Sequence, residues 1–308
     1  MLSVGRSWFK VWKPGVRPLT HGRLESRSRA LARNPIVQST ANRQLDTAEQ
    51  TRHYMFPMVV IGLVLLFLAA PWSWQHKAHV ALHGLCAQTP SHTLLLGGHA
   101  LPFDSRMTGI YGGFLSTMIM LFTLGRHRAA RLPSWPVIAL LVLLVGAMAI
   151  DGFNSLLLDM MKPHLYQPDN RLRLVTGMGT GIALAVILCF LFAVSLWSRP
   201  NMKERVLNGR DLMLVVPAQI PFIALVLSGA GWLAFPMSLL LVVAALSVLS
   251  SLALVSIVLF RYIDCTFTKP SELQGVATLA ILVAVVVMAG LSGGRFVLEN
   301  VLNLQPLP

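Results

Sequence analysis

The feature that most constrains this chain is a set of apolar stretches, each close to the length a helix needs to cross a bilayer. They occupy residues 55–74, 107–125, 136–158, 172–197, 212–235, 237–262 and 275–298, and about 20 apolar residues suffice for one crossing. Backbone polar groups find no partner in lipid, and strand-like alternation is absent, so every stretch reads as a helix. Composition agrees, with 55% hydrophobic and 12% charged residues, against roughly 25% charged in soluble domains. The expected fold class is all-α, a polytopic transmembrane helix bundle of about seven spans, and an ordinary soluble protein is excluded. One boundary, at Phe235 and Pro236, reads either as a minimal turn between two spans or as one span followed by a re-entrant piece.

The net charge of +13 is concentrated at the front, where residues 1–54 hold ten basic and three acidic side chains. A basic flank before a first span stays on the cytoplasmic side and attracts anionic lipid headgroups. With this tail inside, 19 basic residues face the cytoplasm and 6 face the other side, which places the N-terminus inside and the C-terminus outside. The charge is thus read as topology, with no nucleic-acid partner. No apolar core of a secretory signal occurs within the first 30 residues, although the Arg- and Ser-rich opening imitates an organellar transit peptide. The expected location is the cell inner (cytoplasmic) membrane, with an organellar membrane as the alternative. Three regions follow: a basic tail at 1–54, a transmembrane core at 55–200 carrying an outer His/Cys loop, and a three-span membrane region at 201–308.

Two blocks in the middle of the chain carry a resemblance. The first is Cys86-Ala-Gln-Thr-Pro-Ser-His92, then Gly97-Gly98, then Leu101-Pro-Phe-Asp-Ser-Arg-Met-Thr-Gly-Ile-Tyr111-Gly-Gly; the second is Asp151-Gly152 with Asn170-Arg-Leu-Arg173-Leu-Val-Thr176-Gly177. Over about residues 82–185 they resemble domain-of-unknown-function family 2085, a family of polytopic membrane proteins. The resemblance implies a four-ligand Cys/His site, of which this chain keeps Cys86 and carries Ala87, Asp104 and Met107 at the other positions. A Cys/Asp/Met remnant suits zinc poorly, because zinc prefers thiolate and imidazole in a closed tetrahedron.

Nearby histidines offer a replacement. His76, His79, His83 and Cys86 follow i, i+3, i+7 and i+10, which on a continuous helix forms one stripe. With Asp104, the stripe is a candidate metal, haem or pigment site. The alternative is a short interfacial helix over 75–87 whose polar face meets water.

Ionisable groups within the spans carry more weight, since a charge in the bilayer is costly and must be compensated. Asp151 lies deep in the third span, with Asn154 and Ser155 one turn away and Asp159 two turns on. Arg173 at the start of the fourth span is the expected counter-ion for Asp151 or Asp159. Asp104 and Arg106 open the second span at the same side. Asp151, Asp159, Asn170 and Arg173 are thus candidate catalytic residues, and Arg106 and Arg173 a candidate anion clamp; the competing reading is an ion-pair network that fixes helix register.

Gly177 and Gly181, Gly112 and Gly113, and Gly290, Gly293 and Gly294 mark faces where helices approach closely. Pro217 and Pro221 predict a kink in the fifth span. Catalytic and nucleotide-binding signatures are missing. The first functional reading is a non-enzymatic subunit or scaffold of a larger membrane complex, with the lipid bilayer and other membrane subunits as partners. The alternatives are a membrane enzyme acting on a lipid-linked or anionic substrate at the Asp/Arg site, and a small-solute or proton-linked transporter.

Overall fold

The computed structural model describes residues 54–261 and 263–302; the basic tail up to residue 53, and its expected lipid contacts, lie outside them. The described chain is a multi-pass membrane helix bundle. Its helices are α1 (Tyr54–Ala69), α2 (Trp74–Leu82), α3 (Ser105–Thr123), α4 (Trp135–Asp159), α5 (Asn170–Leu196), α6 (Gly209–Val215), α7 (Ile220–Leu227), α8 (Ala234–Phe260) and α9 (Gln274–Val301). Five helical stretches are long and apolar enough to cross a membrane: α4, α5, Gly209–Leu227, Gly231–Phe260 and Pro270–Val301. Two expected spans are not among these. α1 is shorter, ending at Ala69 before Pro71, and α3 is diluted by Gly109, Gly112, Gly113, Ser116 and Thr117.

α5 is the axis of the bundle: 67% of its apolar window is buried, against 17% for α4 and 22% for the α9 stretch. The cause is glycine. A Cβ at Gly177 would stand 2.3 Å from the Arg106 carbonyl, one at Gly181 2.3 Å from the Ile110 carbonyl, and one at Gly109 2.2 Å from the Leu174 carbonyl. α3 and α5 therefore touch backbone to backbone, as small-residue faces allow. Gly112 instead admits the Phe222 ring from α7. The glycine face on α9 behaves differently, because Gly290, Gly293 and Gly294 meet nothing within 4 Å.

The kink expected at Pro217 falls at a 3-10 turn within the Gly209–Leu227 stretch. α6 stops at Val215, a 3-10 turn covers Pro217–Gln219, and α7 follows. Gln219 at the end of that turn is buried, accepting a hydrogen bond from Ser116 Oγ at 2.5 Å and donating to Thr117 Oγ1 at 3.3 Å and to the Val215 carbonyl at 2.9 Å. The next boundary differs from the expectation. The chain turns at Ser228–Ala230, where Gly229 takes a positive φ of 68°, and Pro236 lies in the first turn of α8. Proline is tolerated there because that N–H has no helical acceptor, so Phe235 and Pro236 mark no break.

The end of the bundle at which α3 and α5 finish is basic and locked. β3 (Ala129–Arg131) pairs in parallel with β4 (Asn201–Arg205), Arg126 bridges Glu204 at 3.1 Å and Asp211 at 3.0 Å, and the Arg128 guanidinium sits 4.3 Å over the Trp197 ring. At the opposite end, β1 (Leu95–Leu96) and β2 (His99–Ala100) form a small hairpin between α2 and α3. There Arg295 of α9 donates to the carbonyls of His83, Cys86 and Ala87 and to Glu299, and Gly84 lies against the backbone of Leu291 and Ser292.

Candidate functional site

α3 and α5 begin, and α4 finishes, at the same end, and each brings polar residues for a local reason. Asp104 caps α3, its Oδ1 accepting the Met107 N–H at 2.7 Å, so Arg106 stands in the first turn. Asp169 caps α5 by accepting the Arg171 N–H at 2.9 Å, which sets Arg173 in the first turn there. Such caps satisfy N–H groups that the helix itself leaves open. On α4, Asp151, Asn154 and Ser155 follow helical spacing on one face, and they are buried on a helix that is otherwise largely exposed.

These groups form one network. Arg106 Nη2 donates to Asp151 Oδ2 at 2.8 Å and to Ser155 Oγ at 3.2 Å. Tyr166, from the loop between α4 and α5, donates its hydroxyl to Asp151 Oδ1 at 2.8 Å. That loop is held in turn by Asn154, whose Oδ1 accepts the Leu165 N–H at 2.7 Å and whose amide donates to the Tyr166 carbonyl at 2.9 Å. Both oxygens of a carboxylate that is 1% exposed are therefore engaged. Burial, and then the bond to Asp151, push the Tyr166 phenol up.

The expected pairing of Asp151 with Arg173 is corrected by this geometry. Arg106 is the partner, because the glycine contact between α3 and α5 carries the start of α3 up to α4. Arg173 remains in the network through Ser155, to which its Nε donates at 3.4 Å, and through Asn170, whose Oδ1 accepts from Nη1 at 2.9 Å. It forms no ion pair among the described residues, although it is 4% exposed. Asn170 also donates to the Ser91 carbonyl at 3.1 Å. Asp159 does not join Arg173 either; its side chain is 50% exposed and lies 3.5 Å from His92 Nε2. Burial, and then the charge of Arg173, hold the His92 imidazole below its usual range. Thr176 turns back on its own helix, donating to the Leu172 carbonyl at 2.9 Å.

The His/Cys stripe is not gathered in the structure. α2 ends at Leu82 rather than continuing to residue 87, so Cys86 falls beyond the helix and the predicted register lapses. His76 is exposed and edges onto Trp72 at 5.8 Å. His79 Nε2 meets the Ala100 carbonyl at 3.3 Å. The ring of His83 stacks on Phe296 at 4.1 Å, with Nε2 2.9 Å from Glu299 Oε2 and Nδ1 3.1 Å from Gln88 Oε1. Cys86 Sγ accepts the N–H groups of Gln88 and Asp104, each at 3.4 Å. Burial, and then the charge of Asp104, push this thiol up to about 11. Among the described residues, no three His, Cys, Asp or Glu side chains stand together as metal ligands.

Tyr166 and Glu299 make polar contacts that the sequence does not signal. Tyr166 sits in a loop without periodicity, and Glu299 is 216 positions from the histidine it meets.

Comparison with known proteins places these observations among relatives. A family model described as "Predicted membrane protein (DUF2085)" matches residues 86–187, the segment that supplies every member of the polar network. The chain is similar to an "Uncharacterized protein" of Methanothermobacter thermautotrophicus, 34% identical over 104 residues that make up 33% of this chain and 83% of the relative. No solved structure matches.

Proposed function

We propose, for a chain that belongs to the DUF2085 family of predicted membrane proteins, that it is a non-enzymatic subunit or scaffold of a larger membrane assembly. The observation that carries this reading is the closure of Asp151, whose two oxygens are taken by Arg106 and Tyr166. A buried acid so engaged ties α3, α4 and the following loop together, as a registry lock does; acid/base work would need it to release a bond. The open glycine face of α9 supports the assembly part, since the glycines at which α3 and α5 meet, Gly109, Gly113, Gly177 and Gly181, are filled by neighbouring backbone. A span of another subunit closes such a face by close helix packing. Purifying the full chain in a mild detergent should return a hetero-complex of fixed stoichiometry, and a monodisperse monomer overturns the reading.

The protein sits in the inner (cytoplasmic) membrane in this proposal, with its basic end and tail inside. The three cysteines test that orientation. Cys86 and Cys189 are buried and Cys265, at the basic end, is exposed; the thiolate is the reactive form, and Cys86 holds its proton up to about 11. A membrane-impermeant maleimide at pH 7.5 should therefore label nothing in intact cells and Cys265 alone once the membrane is opened. Labelling of Cys265 in intact cells reverses the orientation.

A further inference from the structure

We infer that Arg173 and Arg106 together form a binding site for a phosphate group, presented either by a phospholipid headgroup or by free phosphate. The charge arrangement is the starting point. Asp151 is committed to Arg106, and Asp104 and Asp169 to the starts of their helices, while the half-exposed Asp159 lies 3.5 Å from His92 Nε2. Arg173 is left with a serine hydroxyl and an asparagine oxygen, both neutral, although it is 4% exposed. A buried guanidinium whose hydrogen bonds go only to neutral acceptors is a costly arrangement, eased only in part by the nearby carboxylates of Asp151 and Asp159, and an incoming anion lowers the cost.

Donors are also left over. Arg106 Nε is buried with no hydrogen-bond partner, and Arg173 Nη2 makes no hydrogen bond among the described residues. Each arginine stands in the first turn of a long helix, α3 of 19 residues and α5 of 27, where the macrodipole adds positive potential. His92 joins them, its imidazole held below its usual range by burial and then by the charge of Arg173.

Phosphate fits better than carboxylate on two grounds. Spare donors on two separate guanidiniums suit a tetrahedral group, whereas a planar carboxylate is satisfied by one fork. The level also matches, because the site lies where the spans end, beside exposed Met160, Met161 and Leu165, the depth at which headgroups lie. Asp151 and Asp159 nearby oppose any anion, so selectivity rests on donor geometry rather than on net charge.

The test uses the full chain, delipidated in dodecyl maltoside, and reads the melting midpoint together with native mass spectrometry. Probes are inorganic phosphate, acetate at equal ionic strength, phosphatidylglycerol, and diacylglycerol as the phosphate-free lipid. Wild type should show saturable stabilisation by phosphate or by phosphatidylglycerol, and none by acetate or diacylglycerol. Stabilisation by inorganic phosphate assigns the free ion, and stabilisation by the phospholipid alone assigns the headgroup. Arg173→Gln should weaken binding about tenfold or more, the scale of a charged hydrogen bond. Arg173→Lys keeps the charge but not the fork and should also weaken it, which decides the matter if the glutamine variant fails to fold. Equal effects of acetate and phosphate, absence of saturable binding to wild type, or unchanged binding in folded Arg173 variants would each overturn the proposal.

Discussion

Replacing Gly177 by valine is expected to remove most of the folded protein. The new Cβ would stand 2.3 Å from the Arg106 carbonyl and 3.3 Å from its Cα, and these obstructing atoms are backbone, so no rotamer change relieves the clash. α3 and α5 would have to separate along their shared face, losing the Gly109 and Gly181 contacts with it. Overpacking usually costs 1–3 kcal/mol; a backbone clash between two buried spans belongs at or beyond the upper end, about 3 kcal/mol. Yield of monodisperse protein by size-exclusion chromatography reads the effect. Gly146→Val on α4, where nothing lies within 4 Å, is the control and should elute as wild type. Equal yields from both variants would contradict the packing described.

The second large effect is expected at Asp151. Its replacement by alanine leaves the Arg106 guanidinium without its counter-ion and Tyr166 without its acceptor. Breaking a buried pair from one side costs 3–5 kcal/mol. The Arg106 side chain is 22% exposed and gains some hydration, so the expected loss is at the lower end, about 3 kcal/mol. Asp151→Asn keeps an acceptor oxygen and should lose less. The loop through Tyr166 should loosen in both, as protease sensitivity between residues 160 and 169 would show. A variant as stable and as resistant as wild type would mean that the network is incidental.

The helices were legible because hydropathy reports burial in lipid directly: residues 136–158 were expected for α4, which spans Trp135–Asp159. The polar cluster was legible in part, because charges in a membrane segment demand a partner, but the identity of that partner was not. Arg173 was the natural expectation from the adjacency of the third and fourth spans, and Arg106 wins because Gly109 and Gly113 on α3 mesh with Gly177 and Gly181 on α5. The four-residue spacing of Gly109 and Gly113 carries that signal, whereas Gly112, beside Gly113, faces the Phe222 ring. The turn at Ser228–Ala230 has its signal in two glycines, at 229 and 231, rather than in the proline at 236. The histidine stripe failed because its register assumed an unbroken helix. Gly84, pressed against α9, lies just past the point where that helix ends.

The account rests on Arg106 and Asp151 joining α3 to α4, and a double-mutant cycle on the melting free energy of Arg106→Gln, Asp151→Asn and the double variant measures that link directly. Groups in contact show interaction energies of 0.5–3 kcal/mol, and for this pair the double variant should lose about 1 kcal/mol or more less than the two single losses combined. Strictly additive losses would contradict the pairing and, with it, the arrangement of α3, α4 and α5.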